Sequence, residues 1–443
     1  MPNPRSIALN VLIKIEQEQA YSNLALANAM RDSKLNRVDS AFVSARGYGV
    51  LERKITLDYI IRQYSKIPLR KIEFKTKMIL RMGVFQLLFM DKVPESAAVN
   101  ESVNLAKRYR LQKSAGFING ILRSITRAEI KYTLPDERDT VRCFSVKYSA
   151  PEELVRMWID AYGTKNAEQL LEHLSGRPPI CARVNTLKTN ADMLTESLCS
   201  DGVQAEKIPF LSDALYLMHT GAIEALRAYR EGLFHIQDAS SQLCVHFLDP
   251  QPRELLLDIC AAPGGKSFTA AEMMNDRGKV FAFDLYGHKV RLIESGAKRL
   301  GISSVRASVR DGASGMPLPT ADRILCDVPC SGLGILSRKP EIRYKDGLLN
   351  NDLPQLQYRI LSCSAAYLAV GGRLVYSTCT LNPRENNEIT AKFLAEHPGF
   401  EGVQLELPAG VLRAFNERDC EITLMPHTAH TDGFYCAAFT RRS

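Results

Sequence analysis

From about residue 253 onward the chain alternates short apolar runs with helix-like segments, an alternation that restricts its C-terminal part to a doubly wound, mostly parallel sheet. The runs are Glu254 to Cys260, Lys279 to Phe283, Val305 to Arg310, Arg323 to Cys326 and Gly372 to Tyr376. Each is short and apolar enough to read as a buried strand. In an open sheet of this kind, ligands bind beyond the carboxyl ends of the strands. Those ends carry Asp284, Asp311, the tetrad Asp327-Val328-Pro329-Cys330 and the tetrad Ser377-Thr378-Cys379-Thr380.

The first run leads into Ala261-Ala262-Pro263-Gly264-Gly265-Lys266-Ser267 and then a helix. A strand, a turn of small residues and a helix let backbone approach a cofactor closely. The turn has neither the GxGxxG spacing of a dinucleotide site nor the GxxxxGK[ST] spacing of a phosphate cradle, so neither NAD nor ATP is favoured. An ionised carboxylate only accepts hydrogen bonds. Asp284 at a second strand end suits the two hydroxyls of a ribose, and Asp311 at a third suits an adenine amino group. Taken singly, each is as readily a helix cap or a turn residue. In series, they describe a pocket for an adenosine without a phosphate tail. Two thiols delivered beside it, Cys330 and Cys379, point to covalent chemistry on a substrate held next to that cofactor.

The charge is unevenly distributed. Residues 1–135 carry 23 Lys and Arg against 11 Asp and Glu, net +12, so of the formal +8 overall the remainder of the chain carries −4. A basic module joined to a near-neutral one suits a nucleic-acid enzyme, the first part attracting phosphates and the second performing the chemistry. Hydrophobic residues make up 45% and charged residues 24% of the chain, which excludes a disordered protein. No apolar run reaches membrane-spanning length, and the start from Met1 to Ser6 lacks the apolar core of a signal peptide, so a cytoplasmic location is expected. The 11 cysteines are odd in number, scattered and without a CxxC pair, which predicts free thiols and no metal.

Residues 6 to about 130 read as successive helices, with Ser6 as an N-cap, a buried helix from Met78 to Met90, a third starting near Pro94 and another opening at Gly116. The polar stretch Tyr132 to Asp139 marks a boundary. Beyond it lie a helix from Pro151, a strand at Arg183 to Leu187, a helix near Met193 to Leu198 and a strand at Gly232 to Asp238, a mixed α/β region.

The elements Val93-Pro94, Ala97-Ala98-Val99-Asn100-Glu101, Leu105-Ala106-Lys107-Arg108 and Phe117-Ile118-Asn119-Gly120-Ile121-Leu122-Arg123 resemble the NusB-type RNA-binding fold, which is all-helical. The run Asp258-Ile259-Cys260-Ala261-Ala262-Pro263-Gly264-Gly265-Lys266, with the Pro-Cys and Ser-Thr-Cys-Thr tetrads, resembles the RNA cytosine-5 methyltransferases. Gln237-Asp238-Ala239-Ser240-Ser241-Gln242 is similar to a further motif of that family. Together with the NusB-like start, the resemblance narrows to the branch acting on small-subunit ribosomal RNA.

The resemblance implies three parts: a NusB-like helical RNA-binding domain at 1–135, a small α/β connecting domain at 141–250, and a Rossmann-like class I methyltransferase domain at 251–443. It also implies S-adenosyl-L-methionine as cofactor, held by Cys260, Ala261, Ala262, Pro263, Gly264, Gly265, Lys266, Asp284, Asp311 and Asp327. Small-subunit ribosomal RNA is the implied partner, and the chain is expected to act as a monomer without a membrane or a metal. In this family the Ser-Thr-Cys-Thr cysteine, here Cys379, is the nucleophile that adds to carbon 6 of cytosine. Cys330 then helps to release the product, and Asp327 contacts the base. DNA cytosine methyltransferases use the Pro-Cys cysteine instead, so Cys330 is the rival nucleophile. Lys266 could pair with Asp327 or lower a thiol pKa. Arg183, Asn185, Arg338, Lys339 and Arg343 are candidate RNA contacts. Another RNA such as transfer RNA is an alternative substrate, and a non-catalytic RNA-binding assembly factor is an alternative function.

Overall fold

The computed structural model describes residues 3–443 except 19, 21, 34, 177, 350 and 416, and the side chains of all of these except 23, 37 and 38. Met1 and Pro2 therefore lie outside the described residues. The chain divides into two units, Met1–Gly176 with Leu336–Leu349, and Arg177–Ile335 with Asn350–Ser443.

The first unit is helical. Its helices include Pro4–Glu18, Arg37–Glu52, Lys54–Tyr64, Phe74–Phe89, Glu95–Arg108 and Gln112–Arg127. The last buries Ala115, Ile118, Ile121, Leu122 and Ile125, a three-to-four residue spacing that lays one apolar stripe on the core. Phe74–Phe89 is apolar on nearly every side because it runs through that core, and it buries Met78 to Gln86 without interruption. At the first helix the N-cap is Asn3 and not Ser6: Asn3 Oδ1 accepts the N–H groups of Arg5 at 2.9 Å and Ser6 at 3.2 Å. Leu336–Leu349, which in sequence interrupts the second unit, belongs to this helical unit. Glu341 accepts the Ser22 hydroxyl at 2.6 Å, and the buried Arg343 guanidinium reaches the carbonyls of Glu52, Ser149, Leu174 and Leu336.

The second unit holds two sheets. In the smaller, β1 (Ile180–Val184), β2 (Gln204–Ile208), β3 (Leu211–Met218) and β4 (Phe234–Ile236) are ordered β2-β3-β1-β4 and antiparallel. The larger contains β5 (Leu255–Asp258), β6 (Lys279–Asp284), β7 (Val305–Val309), β8 (Ala321–Asp327), β9 (Leu368–Thr378), β10 (Phe400–Gly402), β11 (Glu421–Leu424) and β12 (Phe434–Arg441). Its order is β10-β12-β9-β8-β5-β6-β7, with β11 on β12. Strands β5 to β9 run parallel, and β12 returns antiparallel against β9. The chain leaves β5 toward β6 and β7, then crosses back to β8 on the other side. Such a reversal opens a crevice above the strand ends, here those of β5 and β8.

Candidate active site

Leu255, Leu256 and Leu257 carry β5 into the sheet and leave Asp258 at its carboxyl end, fully buried. The chain then turns through Cys260 to Gly264 into the helix Gly265–Met273. Gly264 has a φ of +110°, and a β-carbon there would meet the Phe268 ring at 2.4 Å, so both backbone and packing demand glycine. This turn walls a cavity of about 160 Å³ whose lining includes Asp258, Cys260, Ala261, Ala262, Pro263, Gly265, Lys266 and Asp327. Ile236, Gln237, Asp238 and Ser241 close it from the other side.

Two atoms at this cavity lack hydrogen-bond partners. Gln237 Oε1 accepts from the Thr269 hydroxyl at 2.5 Å and lies 3.2 Å from His235 Nε2. His235 is buried beside Arg183, which pushes its pKa down to about 3, so the ring is neutral and can donate Nε2–H. With the oxygen so engaged, the buried Gln237 Nε2 is left as an unused donor. Asp258 Oδ2 accepts the Ser267 hydroxyl at 2.6 Å, and Oδ1 is a buried acceptor without a partner. Burial pushes the Asp258 carboxyl up to about 7, with Ser267 and Lys266 opposing and Asp327 adding to the rise. A free amide donor and a free carboxyl oxygen fit the carboxylate and ammonium of an amino-acid end, as S-adenosylmethionine possesses.

Asp284 stands at the end of β6, its Oδ1 accepting the Tyr286 N–H at 3.2 Å. Asp311 lies two residues beyond β7, exposed, and accepts the Ala313 N–H at 2.9 Å as a turn residue. Neither these two nor Gly264 lines the cavity.

At the carboxyl end of β8, Asp327 Oδ2 lies 2.7 Å from Lys266 Nζ, and Oδ1 accepts the Ser377 hydroxyl of β9 at 2.8 Å. Lys266 also donates to Ser241 at 3.2 Å. Burial opposes its charge, but Asp327, Cys244 and Cys379 more than offset that and hold its pKa above the ordinary lysine value. Just past these two strand ends, Cys330 Sγ and Cys379 Sγ are 3.3 Å apart. Contact with Cys379, then burial, then the charges of Cys379 and Glu385 hold the Cys330 thiol well above its usual range.

Thus the small-residue turn, Lys266, Asp327 and both thiols gather at the ends of β5, β8 and β9. Ile236, Gln237, Asp238, Ser241 and Asp258 were not among the expected cofactor contacts. A signal for most of them existed, since Gln237 to Gln242 matched a family motif to which no role was attached. The expectation that Arg183 and Asn185 contact RNA is corrected. Arg183 is buried against Glu272, Nε to Oε2 3.1 Å, and Asn185 is buried and donates to the carbonyls of Gly232 and Leu300 at 2.9 Å each. Arg343 is likewise an internal anchor and not an RNA contact.

A doubly wound sheet with this turn and cavity defines an S-adenosylmethionine-dependent methyltransferase. Residues 245–440 match the model of the 16S rRNA methyltransferases RsmB/F, residues 2–127 the NusB family, and residues 150–224 the ferredoxin-like domain of the RsmF/B-like methyltransferases. The probable ribosomal RNA small subunit methyltransferase B of Bacillus subtilis is 37% identical, covering 99% of this chain and 98% of its own. The corresponding protein of Synechocystis is 34% identical over 99% of both chains. The crystal structure of PH0851 shares the fold, with a TM-score of 0.83 at 24% identity over 100% of this chain and 99% of that one. The chain belongs to the ribosomal RNA small subunit methyltransferase B family. Among the described residues no cluster suited to a metal ion occurs, and no helix is long and apolar enough to cross a membrane.

Proposed function

We propose that this enzyme methylates carbon 5 of a cytosine in small-subunit ribosomal RNA, with cytosine 967 of 16S RNA as the target implied by the family, and that it works through a covalent bond from Cys379 to carbon 6. The observation that carries this reading is the pair of thiols in contact, at 3.3 Å, beyond the ends of β8 and β9 and beside the cofactor turn. When bound, S-adenosylmethionine supplies an electrophilic methyl group. The small residues of the turn, Cys260, Ala261, Ala262, Pro263, Gly264 and Gly265, would let its backbone approach the cofactor closely, Gln237 and Asp258 would hold the amino-acid end, and Asp284 and Asp311 the adenosine.

Carbon 5 of cytosine is a poor nucleophile within an aromatic ring. Addition of the Cys379 thiolate to carbon 6 breaks the 5,6 double bond and makes carbon 5 nucleophilic. Asp327, held by Lys266 and Ser377, faces the base and favours a proton at ring nitrogen 3 as charge develops there. Once carbon 5 carries the methyl group, loss of its proton and departure of Cys379 restore the double bond, with Cys330 assisting this release. A base inside a helix hides carbon 6, so the target must be unpaired or turned out of its stack. The basic residues of the N-terminal third supply phosphate attraction.

Bisulfite sequencing of ribosomal RNA from cells with and without the protein tests the proposal. The expected result is loss of one 5-methylcytosine in the small-subunit RNA, restored by the wild-type gene. A methylcytosine lost only from transfer RNA overturns the substrate assignment.

A further inference from the structure

One carboxylate outside the two cysteine motifs links the loops that carry both thiols. Glu385 is fully buried in the short turn Pro383–Glu385 that follows the Cys379 loop. Its Oε1 accepts the Ser331 hydroxyl at 2.5 Å and the Asn382 side-chain amide at 2.9 Å. Its Oε2 accepts the Ser331 backbone N–H at 2.9 Å and the Gln357 amide at 2.8 Å. The same Gln357 amide nitrogen reaches the Pro329 carbonyl at 2.9 Å, and the backbone carbonyl of Glu385 accepts the Tyr376 hydroxyl at 2.6 Å.

These partners flank the two sulfurs. Ser331 follows Cys330, Thr380 follows Cys379, and their hydroxyls are 2.7 Å apart. The Gly334 N–H donates to the Cys379 carbonyl at 2.9 Å. Pro329 and Ser331 on one loop, and Asn382 on the other, are thereby bonded to one carboxylate or to its own partner Gln357. A buried carboxylate is costly to desolvate unless its lone pairs are filled, and four donors fill these. Shifting any of those donors to relax one loop would leave the charge under-solvated, so the frame resists the movement that would separate the sulfurs.

We infer that Glu385 is a positioning residue, whose carboxylate sets the spacing of the two sulfurs and places a negative charge beside Cys330. This rests on the proposed role of Cys379 as nucleophile. An anion beside Cys330 disfavours a second negative charge there. The groups facing the pair are Glu385 and the Tyr376 phenol near Cys330, and Lys266, itself paired to Asp327, near Cys379. The phenol is neutral, so the two charges are the Glu385 anion on the Cys330 side and the Lys266 cation on the Cys379 side.

The test is alkylation of the cofactor-free full-length protein with iodoacetamide across a pH series, each thiol followed by peptide mass spectrometry, alongside kcat and KM. In Glu385→Gln the Cys330 midpoint is expected to fall by about one pH unit or more. Its kcat is expected to fall about 100-fold, the scale of a small misplacement of reacting groups, with KM for the cofactor unchanged. Glu385→Asp keeps the charge but not the reach, so it should lose kcat while leaving the Cys330 midpoint near that of the wild type. If Glu385→Gln leaves both midpoints in place and kcat within about twofold, the inference is overturned. Should Glu385→Gln not fold, Ser331→Ala removes the hydroxyl that bonds both Glu385 and Thr380: a changed ratio of Cys330 to Cys379 alkylation supports the role, and an unchanged ratio refutes it. If the wild-type enzyme failed to modify small-subunit RNA while the thiol midpoints moved as expected, the substrate proposal would fall and the positioning role would stand.

Discussion

The sulfur atoms of Cys330 and Cys379 lie 3.3 Å apart although 49 residues separate them in the chain. Parallel pairing of β8 with β9 brings this about, because Asp327 is in register with Ser377 and each thiol follows within three residues. Two groups so close can act on neighbouring atoms of one ring.

The two thiols should fail differently. Cys379→Ser is expected to abolish both methyl transfer and the covalent adduct with 5-fluorocytosine RNA on a denaturing gel. Cys330→Ala should form an adduct with ordinary RNA that persists, because release is impaired. An exchange of these two outcomes would make Cys330 the nucleophile.

Cofactor affinity should depend on pH through Asp258. Its carboxyl, pushed up to about 7 by burial, is largely protonated in mildly acidic solution. An ammonium placed beside it favours the ionised form, so binding releases a proton and weakens as pH falls below 7, by up to about tenfold per unit. Lys266 favours ionisation as well, while Asp327 opposes it. Calorimetry in buffers of different ionisation enthalpy counts the proton, and Asp258→Asn should flatten the profile. Without cofactor the sign for stability is the reverse. A raised folded pKa contributes stability below the ordinary carboxyl pKa, and that contribution is lost as pH rises through about 7.

Arg183→Ala should damage the fold and spare RNA recognition. It strands Glu272, whose side chain is wholly buried and ion-paired with the Arg183 Nε at 3.1 Å. Burial already pushes the Glu272 carboxyl up to about 8, so once Arg183 is gone it takes a proton, and a buried polar group left without its partner costs about 1 to 3 kcal/mol, which urea unfolding would register. A drop in RNA affinity at unchanged stability would contradict this.

Gly334→Ala should disturb the thiols from a distance. A β-carbon there would fall 1.8 Å from the Gly433 carbonyl oxygen and 2.9 Å from that of Cys379. Because both obstacles are backbone, the Pro-Cys loop must move, at a cost of about 1 to 3 kcal/mol. Thermal unfolding together with turnover should show activity falling more than stability does.

Much of the catalytic sheet was legible because its strands announce themselves as apolar runs and their ends as Asp and Cys. The middle domain was less so: the strand expected at Arg183 to Leu187 ends at Val184, and the one expected from Gly232 to Asp238 covers only Phe234–Ile236. Short antiparallel strands owe their extent to their partners, and β1 is bounded by β3 and β4. Arg183 misled for a similar reason. An arginine's charge is visible in sequence, but whether it faces solvent or a buried carboxylate is settled by a helix that passes 89 residues later.

By itself the sequence determined the class of sheet, the small-residue turn after its first strand and the two thiols at strand ends, since each depends on local pattern: apolar runs, small residues in a turn, and polar residues where the runs stop. Only the tertiary structure decided that Gln237 and Asp258 share one cavity, that Leu336–Leu349 belongs to the helical unit, and that Glu385 ties the thiol loops together. Those relations arise from buried polar groups finding partners far along the chain. The need for partners is a property of each residue, but the identity of the partner is a property of the fold.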